Sequence, residues 1–278
     1  MICWMFPGQP VSFGNPLQSD DVFRDIAETC LSITGFDPGR AETGAYILTE
    51  SVRLQLFGLC CSIWKYRRLA LDGRTPDFVT EHSMGIFPAL VACNVAPVED
   101  VIEMTFRAGV RMAEAFKDGS YSLGCVTGMR LPQISAIADN HGVYIANCNT
   151  SCHFLLSGSG SGIEAALLEA GAVGAYSVST FSCDAPLHTP LMEVIADDLK
   201  GIYADYSYHE PAIPLIEHVS QQFLTASSIP KFLYTELCQP VQWEESYRSI
   251  RRLGVVQFIE LGFGGSLTKF NRWIDSES

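Results

Sequence analysis

The stretch "DFVTEHSMGIFPALV", residues 77 to 91, holds the most chemistry in the chain. An apolar strand runs into a sharp polar turn with Ser83 at its apex, and a helix leaves it. That is the outline of a nucleophile elbow, in which a strained turn presents a serine hydroxyl to a carbonyl. The position of the elbow's first glycine holds Glu81. The residues alone therefore leave two readings open, a nucleophile or a serine near a helix start. A serine hydroxyl is a weak nucleophile until a base takes its proton, so the first reading needs a partner from elsewhere in the chain.

Other reactive residue types are arranged less pointedly. The chain has ten cysteines but no CxxC pair and no Cys/His spacing of a zinc site. Cys60 and Cys61 lie in an apolar run, and Cys148 and Cys152 share "CNTSC". They read as free thiols in a reducing compartment. The repeat "SGSGSG", Ser157 to Gly162, lacks the GxGxxG frame and a following lysine, and reads as a turn into a helix.

The net charge is −13, from 18 Lys and Arg against 31 Asp and Glu. A chain so acidic lacks the basic face that nucleic acid requires. The N-terminal "MICWMFPGQ" has no basic region before its apolar residues, and the run "LQLFGLCCSIW" is about half the length of a bilayer span. These features predict a cytoplasmic protein with no membrane and no nucleic-acid partner.

The elements that must position Ser83 follow from periodicity. "MICWMF" predicts a strand, "DVFRDIAETCLSI" and "TESVRLQLFGLCCSIWKYRRL" predict helices, and "DFVT" predicts the strand that delivers the serine. "GIFPALVACNV" and "VEDVIEMTFRAGVRMAEAF" predict two more helices. The middle then reads strand, helix, strand, strand, helix, strand, the order of a ferredoxin-like βαββαβ unit. After residue 184 come helix "TPLMEVIADDLKGIY", strand "IPLIEHV", helix "VQWEESYRSIRRLG", strand "VVQFIELG" and helix "SLTKFNRWI". Alternating strands and helices predict an α/β core with a mainly parallel sheet. The expected division is a large α/β-hydrolase-like subdomain over 1–117 and 184–278, split by a small ferredoxin-like subdomain over 118–183.

Five separated pieces form one pattern: "FPGQ" (Phe6 to Gln9), "EHSMG" (Glu81 to Gly85), "APLHTPLM" (Ala185 to Met192), "QPVQW" (Gln239 to Trp243) and "ELGFGGSLTKFNRWI" (Glu260 to Ile274). In order and spacing, over nearly the whole length, they resemble the malonyl-CoA:acyl-carrier-protein transacylases and the acyltransferase domains of polyketide synthases. The resemblance implies Ser83 as nucleophile and His188 as its base. It implies backbone N–H groups of Gln9 and Met84 as the oxyanion hole, and the main-chain carbonyl of Gln242 as the group that orients His188. His82 falls at the histidine of the family's GHSxG and implies structural support. The substrate pocket then takes in Ala108, Asn149, His153 and Leu187, with Arg107 and Arg111 nearby. The chain resembles a discrete, trans-acting, monomeric member. Its substrates would be acyl-CoA and phosphopantetheinyl acyl-carrier-protein thioesters, with the acyl carrier protein as partner and no bound cofactor or metal.

Three positions depart from the family. Glu81 replaces the elbow's first glycine, and Ile86 stands where the family's GHSxGE has glutamate. The arginine that clamps a malonyl carboxylate, four residues before a methionine, falls on Ala108 when counted from either Met112 or Ser83. Arg107 lies about 100° around a helix from that position and Arg111 one turn along it. The small-subdomain motif ANxNxPxQ appears as "ANCNTSCH", with Asn149 kept and His153 in place of glutamine. A missing clamp predicts an acyl group without a free carboxylate, moved through acyl-Ser83. The alternatives are a malonyl transferase that uses Arg107 or Arg111, a hydrolase that clears acyl groups from carrier proteins on the same scaffold, and a non-catalytic docking protein. His141, His209 and His218 have no evident partner in the sequence and are expected at the surface. "KYRR" (Lys65, Arg67, Arg68) and "RSIRR" (Arg248, Arg251, Arg252) are the candidate basic patches for a carrier protein.

Overall fold

A computed structural model describes residues 1–14, 20–41 and 47–277. The first strand, β1 (Ile2–Phe6), is a continuous apolar run, as expected of a strand buried on both faces of a parallel sheet. Its side chains alternate. Trp4 and Phe6 enter the main core, while Met5 packs with Trp243, Leu267 and Ile274 on the opposite side. Two helices follow. α1 (Asp21–Thr34) starts at an Asp20 cap, whose carboxylate accepts from Val22 and Phe23 N–H, and ends at Gly35 with φ 72°. α2 (Glu50–Leu71) is capped by Thr49 and buries most of its first fourteen residues, with Val52, Leu56, Phe57, Leu59 and Ile63 in the main core.

The serine strand β2 (Phe78–Glu81) leads through a 3-10 turn, Ser83–Gly85, into α3 (Ile86–Ala92), and α4 (Val98–Ala115) packs alongside. A second unit then folds as β3 (Tyr121–Thr127), α5 (Leu131–His141), β4 (Tyr144–Thr150), β5 (His153–Ser159), α6 (Gly160–Ala172) and β6 (Ser177–Cys183). Its strands pair antiparallel in the order β6-β3-β5-β4, the ferredoxin-like arrangement, around a separate core that includes Val126, Ile134, Phe154 and Ile163.

The chain returns through α7 (Ala196–Ala204), β7 (Leu215–Ile216), α8 (Ile229–Thr235), β8 (Val241–Gln242), α9 (Trp243–Arg252), β9 (Gln257–Glu260) and α10 (Ser266–Ser276). The first sheet is parallel throughout, in the order β7-β2-β1-β9. The architecture is thus mixed α/β, a parallel sheet with a separate second sheet. Glu260 leaves β9 and accepts from Leu267 and Thr268 N–H, so one carboxylate caps the N-terminus of α10.

Three segments differ from the periodicity reading. "TPLMEVIADDLKGIY" is a 3-10 segment, Pro190–Ile195, before α7, because the proline at its start and the Thr189 cap tighten the first turns. "IPLIEHV" contributes only the two residues of β7. "VQW" begins as β8, which pairs parallel to β4, so this piece of the C-terminal half completes the second sheet. The expected boundary at residue 184 is crossed there. α8 is too short and too mixed to stand out by periodicity.

Candidate active site

Ser83 sits beyond the C-terminal end of β2 with φ 55°. This left-handed conformation costs a non-glycine residue about 1–3 kcal/mol and persists only where the surroundings enforce it. The enforcement is visible two residues later. A Cβ on Gly85 would lie 2.1 Å from the Phe6 carbonyl oxygen, so the turn is pressed onto the end of β1 as only glycine allows. His188 lies in the loop between β6 and α7, also left-handed, with φ 58°. The two meet: Ser83 Oγ is 2.7 Å from His188 Nε2. On the other edge of the ring, His188 Nδ1 donates toward the main-chain carbonyls of Gln239 (3.2 Å) and Glu236 (3.3 Å). Nδ1 therefore carries the proton and Nε2 is free to accept one from Ser83. Burial lowers the His188 pKa, so the ring is neutral at pH 7.

The orienting carbonyls correct one expectation. Gln242 does not face His188: its N–H donates to the His218 carbonyl, its own carbonyl accepts from Ser246, and β8 holds it beside Cys148. The loop before β8 presents Gln239 and Glu236 instead.

The elbow's odd residue has a definite environment. Glu81 is fully buried, and His218 donates to it through its backbone N–H (3.1 Å) and through Nδ1 (2.7 Å). His218 is thus no surface residue but a buried one, 0% exposed. Its other nitrogen, Nε2, faces the Glu236 carboxylate at 3.3 Å, and that carboxylate lies 3.5 Å from His188 Nδ1. Burial would lower His218, but the Glu81 and Glu236 carboxylates outweigh it and push it up to about 10. Burial lifts the Glu81 carboxyl, the His218 cation pulls it back, and the net is a rise to about 7. His188, His218 and Glu236 each offer a ligating atom within 4.8 Å of the others, the one such cluster among the described residues. Both nitrogens of His188 are already engaged, by Ser83 and by carbonyls, so the arrangement is an ion-pair network. Sequence spacing carried one signal for it, a charged residue at a position where an elbow turn wants glycine.

A cleft of about 170 Å³ over Ser83 is lined by Gln9, His82, Leu123, Leu155, Leu187 and His188, from both subdomains. A second cavity of about 380 Å³ shares its Gln9, His82 and Leu155 wall and is lined further by Asn149, His153, Phe263 and Lys269. Behind Ser83 lies an inner pocket of about 40 Å³ walled by Met84, Phe87, Thr105, Ala108, Leu187 and Glu236. A larger surface groove of about 520 Å³ between α1 and α2 lies away from the serine. Gln9 and Met84 both border the serine, and the Gln9 amide is turned aside toward Ser51. Met84 stands in the first turn of a 3-10 segment, where the N–H is not used by the turn itself. His82 Nε2 lies 3.0 Å from Asn149 Oδ1; Asn149 donates to His153 Nδ1 at 3.2 Å, and His153 Nε2 reaches Cys125 Sγ at 3.4 Å. This chain ties the elbow to the second sheet. Burial holds His82 down at about 3, a neutral scaffold residue.

Arg107 and Arg111 are not in the pocket. Arg107 donates to Asp205 (2.7 Å) and Tyr206, and Arg111 pairs with Asp198 (2.6 Å), so both lie across the outer face of α7. In "KYRR", Lys65 donates to the Gly262 carbonyl while Arg67 and Arg68 pair with Asp25 and Asp20 of the α1 region.

The malonyl CoA-acyl carrier protein transacylase of Bacillus subtilis (strain 168) is 30% identical over 292 residues, spanning 98% of this chain and 90% of that protein. This chain belongs to that family. The Staphylococcus aureus (strain MSSA476) transacylase is 29% identical over 213 residues, 73% of this chain and 69% of its own length. The solved transacylase of Coxiella burnetii superposes with a TM-score of 0.91 at 26% identity, covering 100% of this chain and 92% of that one. A malonyl-transacylase solved in complex with a type II polyketide acyl-carrier protein superposes at 0.90, with 23% identity over 99% of this chain and 93% of that one. No family model matches the chain. No helix among the described residues is long and apolar enough to cross a membrane.

Proposed function

We propose that this member of the transacylase family moves a short acyl group that lacks a free carboxylate from a CoA or carrier-protein thioester to an acyl carrier protein through acyl-Ser83. The observation that carries the chemistry is the 2.7 Å contact between Ser83 Oγ and His188 Nε2, with carbonyls on His188 Nδ1. His188 Nε2 takes the Ser83 proton as Oγ attacks the thioester carbonyl. The oxyanion is met by the N–H groups of Gln9 and Met84; in subtilisin-type sites one such donor contributes about 2.7–4 kcal/mol. The tetrahedral intermediate collapses, the C–S bond breaks, and His188 returns the proton to the leaving thiolate. In the second half reaction His188 takes the proton of the carrier's pantetheine thiol. The sulfur attacks the acyl ester, and Ser83 leaves with that proton. The cavity past Asn149 and His153, which shares its wall with the cleft over Ser83, supports an extended pantetheine arm.

Three features support a non-carboxylated group. Ala108 offers no charge at the clamp position. Arg107 and Arg111 are held by Asp205 and Asp198. Glu236 is one of the residues of the inner pocket, and among the described residues no cationic side chain lines it, so a malonyl carboxylate there would be unpaired. The size of that pocket, room for a few waters, supports a short chain.

The test is a panel of acetyl-, longer acyl- and malonyl-CoA, each incubated with the protein and weighed intact. The expected result is a short-acyl adduct that Ser83→Ala removes and that carrier protein discharges without free acid. Malonyl loading as fast as acetyl would overturn the specificity. Release of free acid with no transfer to a carrier would replace transfer by hydrolysis.

A further inference from the structure

The buried side chains behind His188 do more than fill space. Glu81, His218 and Glu236 come from the end of β2, the loop after β7 and the 3-10 turn Glu236–Cys238, and all three are at most 3% exposed. A carboxylate in such a place costs several kcal/mol unless it is paired. The pairing is directional. Glu81 takes both His218 donors on the Nδ1 side, which leaves His218 Nε2 pointed at Glu236. His218 Nε2 and Glu236 Oε2 are both buried with no other partner than this facing contact and the His188 edge. The rings of His188 and His218 stand nearly perpendicular at 5.8 Å, so the carboxylate sits against the Nδ1 edge of one and the Nε2 edge of the other. Reading from the interior outward, the order is Glu81, His218, Glu236, His188, Ser83.

We propose that Glu236 is a positioning residue for His188: its carboxylate, held by His218 and behind it by Glu81, stabilises the imidazolium that forms when Ser83 loses its proton, alongside the main-chain carbonyls of Glu236 and Gln239. This rests on the acyl-serine chemistry proposed above. With one cation between two carboxylates, the three residues carry one net negative charge beside the base. No proton needs to leave His188 Nδ1; the charge acts through space and the long 3.5 Å contact shortens as the ring becomes cationic. The other titratable groups facing this cluster are Tyr203 of α7, which lines the inner pocket, Cys238 on the same turn, and His82, and burial keeps each of them uncharged. Glu217 is spent on capping its own loop through Val219, Ser220 and Gln222.

The experiment compares wild type, Glu236→Gln and Glu236→Asp for the rate of Ser83 acylation across pH, by quenched-flow and intact mass. In Ser-His-Asp enzymes neutralising the carboxylate cuts kcat by about 10⁴. Here the carbonyls keep the tautomer, so Glu236→Gln should slow acylation by only about 10- to 100-fold. The sign of the pH effect is distinctive. Removing the negative charge lowers the His188 pKa, so the acid limb of the profile moves to lower pH by about one unit. Glu236→Asp should bring the limb back toward wild type. An unmoved limb and a wild-type rate in a folded Glu236→Gln protein would overturn the proposal. If that variant does not fold, ¹⁵N spectra of the wild-type histidines decide. Protons on both His218 nitrogens at pH 7.5 support the network; a neutral His218 overturns it. A stoichiometric divalent ion retained through gel filtration would also overturn it, since an ion would stand where the His218 proton does. A wild type that forms no acyl-Ser83 with any donor removes the acyl-serine reading instead, and the spectra still report on the network.

Discussion

Ser83 and His188 both occupy left-handed backbone conformations, a strain that the rest of the fold supports. Ser83→Gly and Ser83→Ala both delete the hydroxyl, but only glycine relaxes φ 55°. Ser83→Gly should therefore be more stable than Ser83→Ala by about 1 kcal/mol, measured by urea unfolding. The clamp position tests specificity at the same scale. Charge-assisted hydrogen bonds contribute about 1.5–3 kcal/mol each, so Ala108→Arg should raise malonyl over acetyl loading by at least about tenfold. An unchanged ratio would mean that the pocket wall at Ala108 does not meet the acyl end. Acylation should also persist below pH 6.5, the ordinary histidine value, because burial lowers His188 and keeps it a free base there. A rate that halves already at pH 6.5 would contradict that direction.

Among the elements, the helices decide which charges are available. α7 and the residue that follows it take up Arg111 and Arg107, and α1 with its Asp20 cap takes up Arg67 and Arg68. Of the two basic runs, the end of α9 keeps exposed arginines: Arg248 pairs with Glu244, while Arg251 and Arg252 lie in the last turn and are exposed. Reversing both, Arg251→Glu with Arg252→Glu, should raise the KM for carrier protein about tenfold while leaving loading from CoA unchanged, because charge at a docking rim acts mainly on encounter. Equal loss in both half reactions would place the carrier elsewhere. β8 shows a different kind of element effect. Its two residues add a parallel strand from the C-terminal half to the second sheet, and the loop before it brings the Gln239 and Glu236 carbonyls onto His188.

Across the whole molecule, buried histidines shape stability against pH. His218 is raised from 6.5 to about 10, so its contribution is complete below pH 6.5 and is lost as pH climbs to about 10. The raised Glu81 acts in the same direction between 4.5 and about 7. His82, lowered from 6.5 to about 3, and His188, lowered too, contribute stability that is lost as pH falls below 6.5. Thermal unfolding should therefore peak in the mildly acidic range near 6 and decline on both sides. His218→Asn should flatten the alkaline limb and leave the acid limb in place; an alkaline limb of unchanged slope would mean that His218 is not the titrating group.

The amino-acid sequence by itself determined the alternation of apolar runs and amphipathic stretches, hence an α/β fold with a βαββαβ unit in its middle, and it determined the elbow with Ser83 at its apex. These are local properties, since a strand's apolar run and a helix's periodicity are written in neighbouring residues. The pairing of Ser83 with His188 was legible only through the set of five motifs, because 105 residues separate them. Tertiary structure alone decided which carbonyls meet Nδ1, since a loop three residues longer or shorter presents a different one. It decided that Arg107 and Arg111 turn outward, since Asp205, just past α7, and Asp198, within it, supply their carboxylates. It decided too that Glu81, out of place in a local motif, belongs with His218 and Glu236. Those partners are 137 and 155 residues away in the chain and become neighbours only when β7 pairs with β2 and the turn before β8 closes over the end of the sheet.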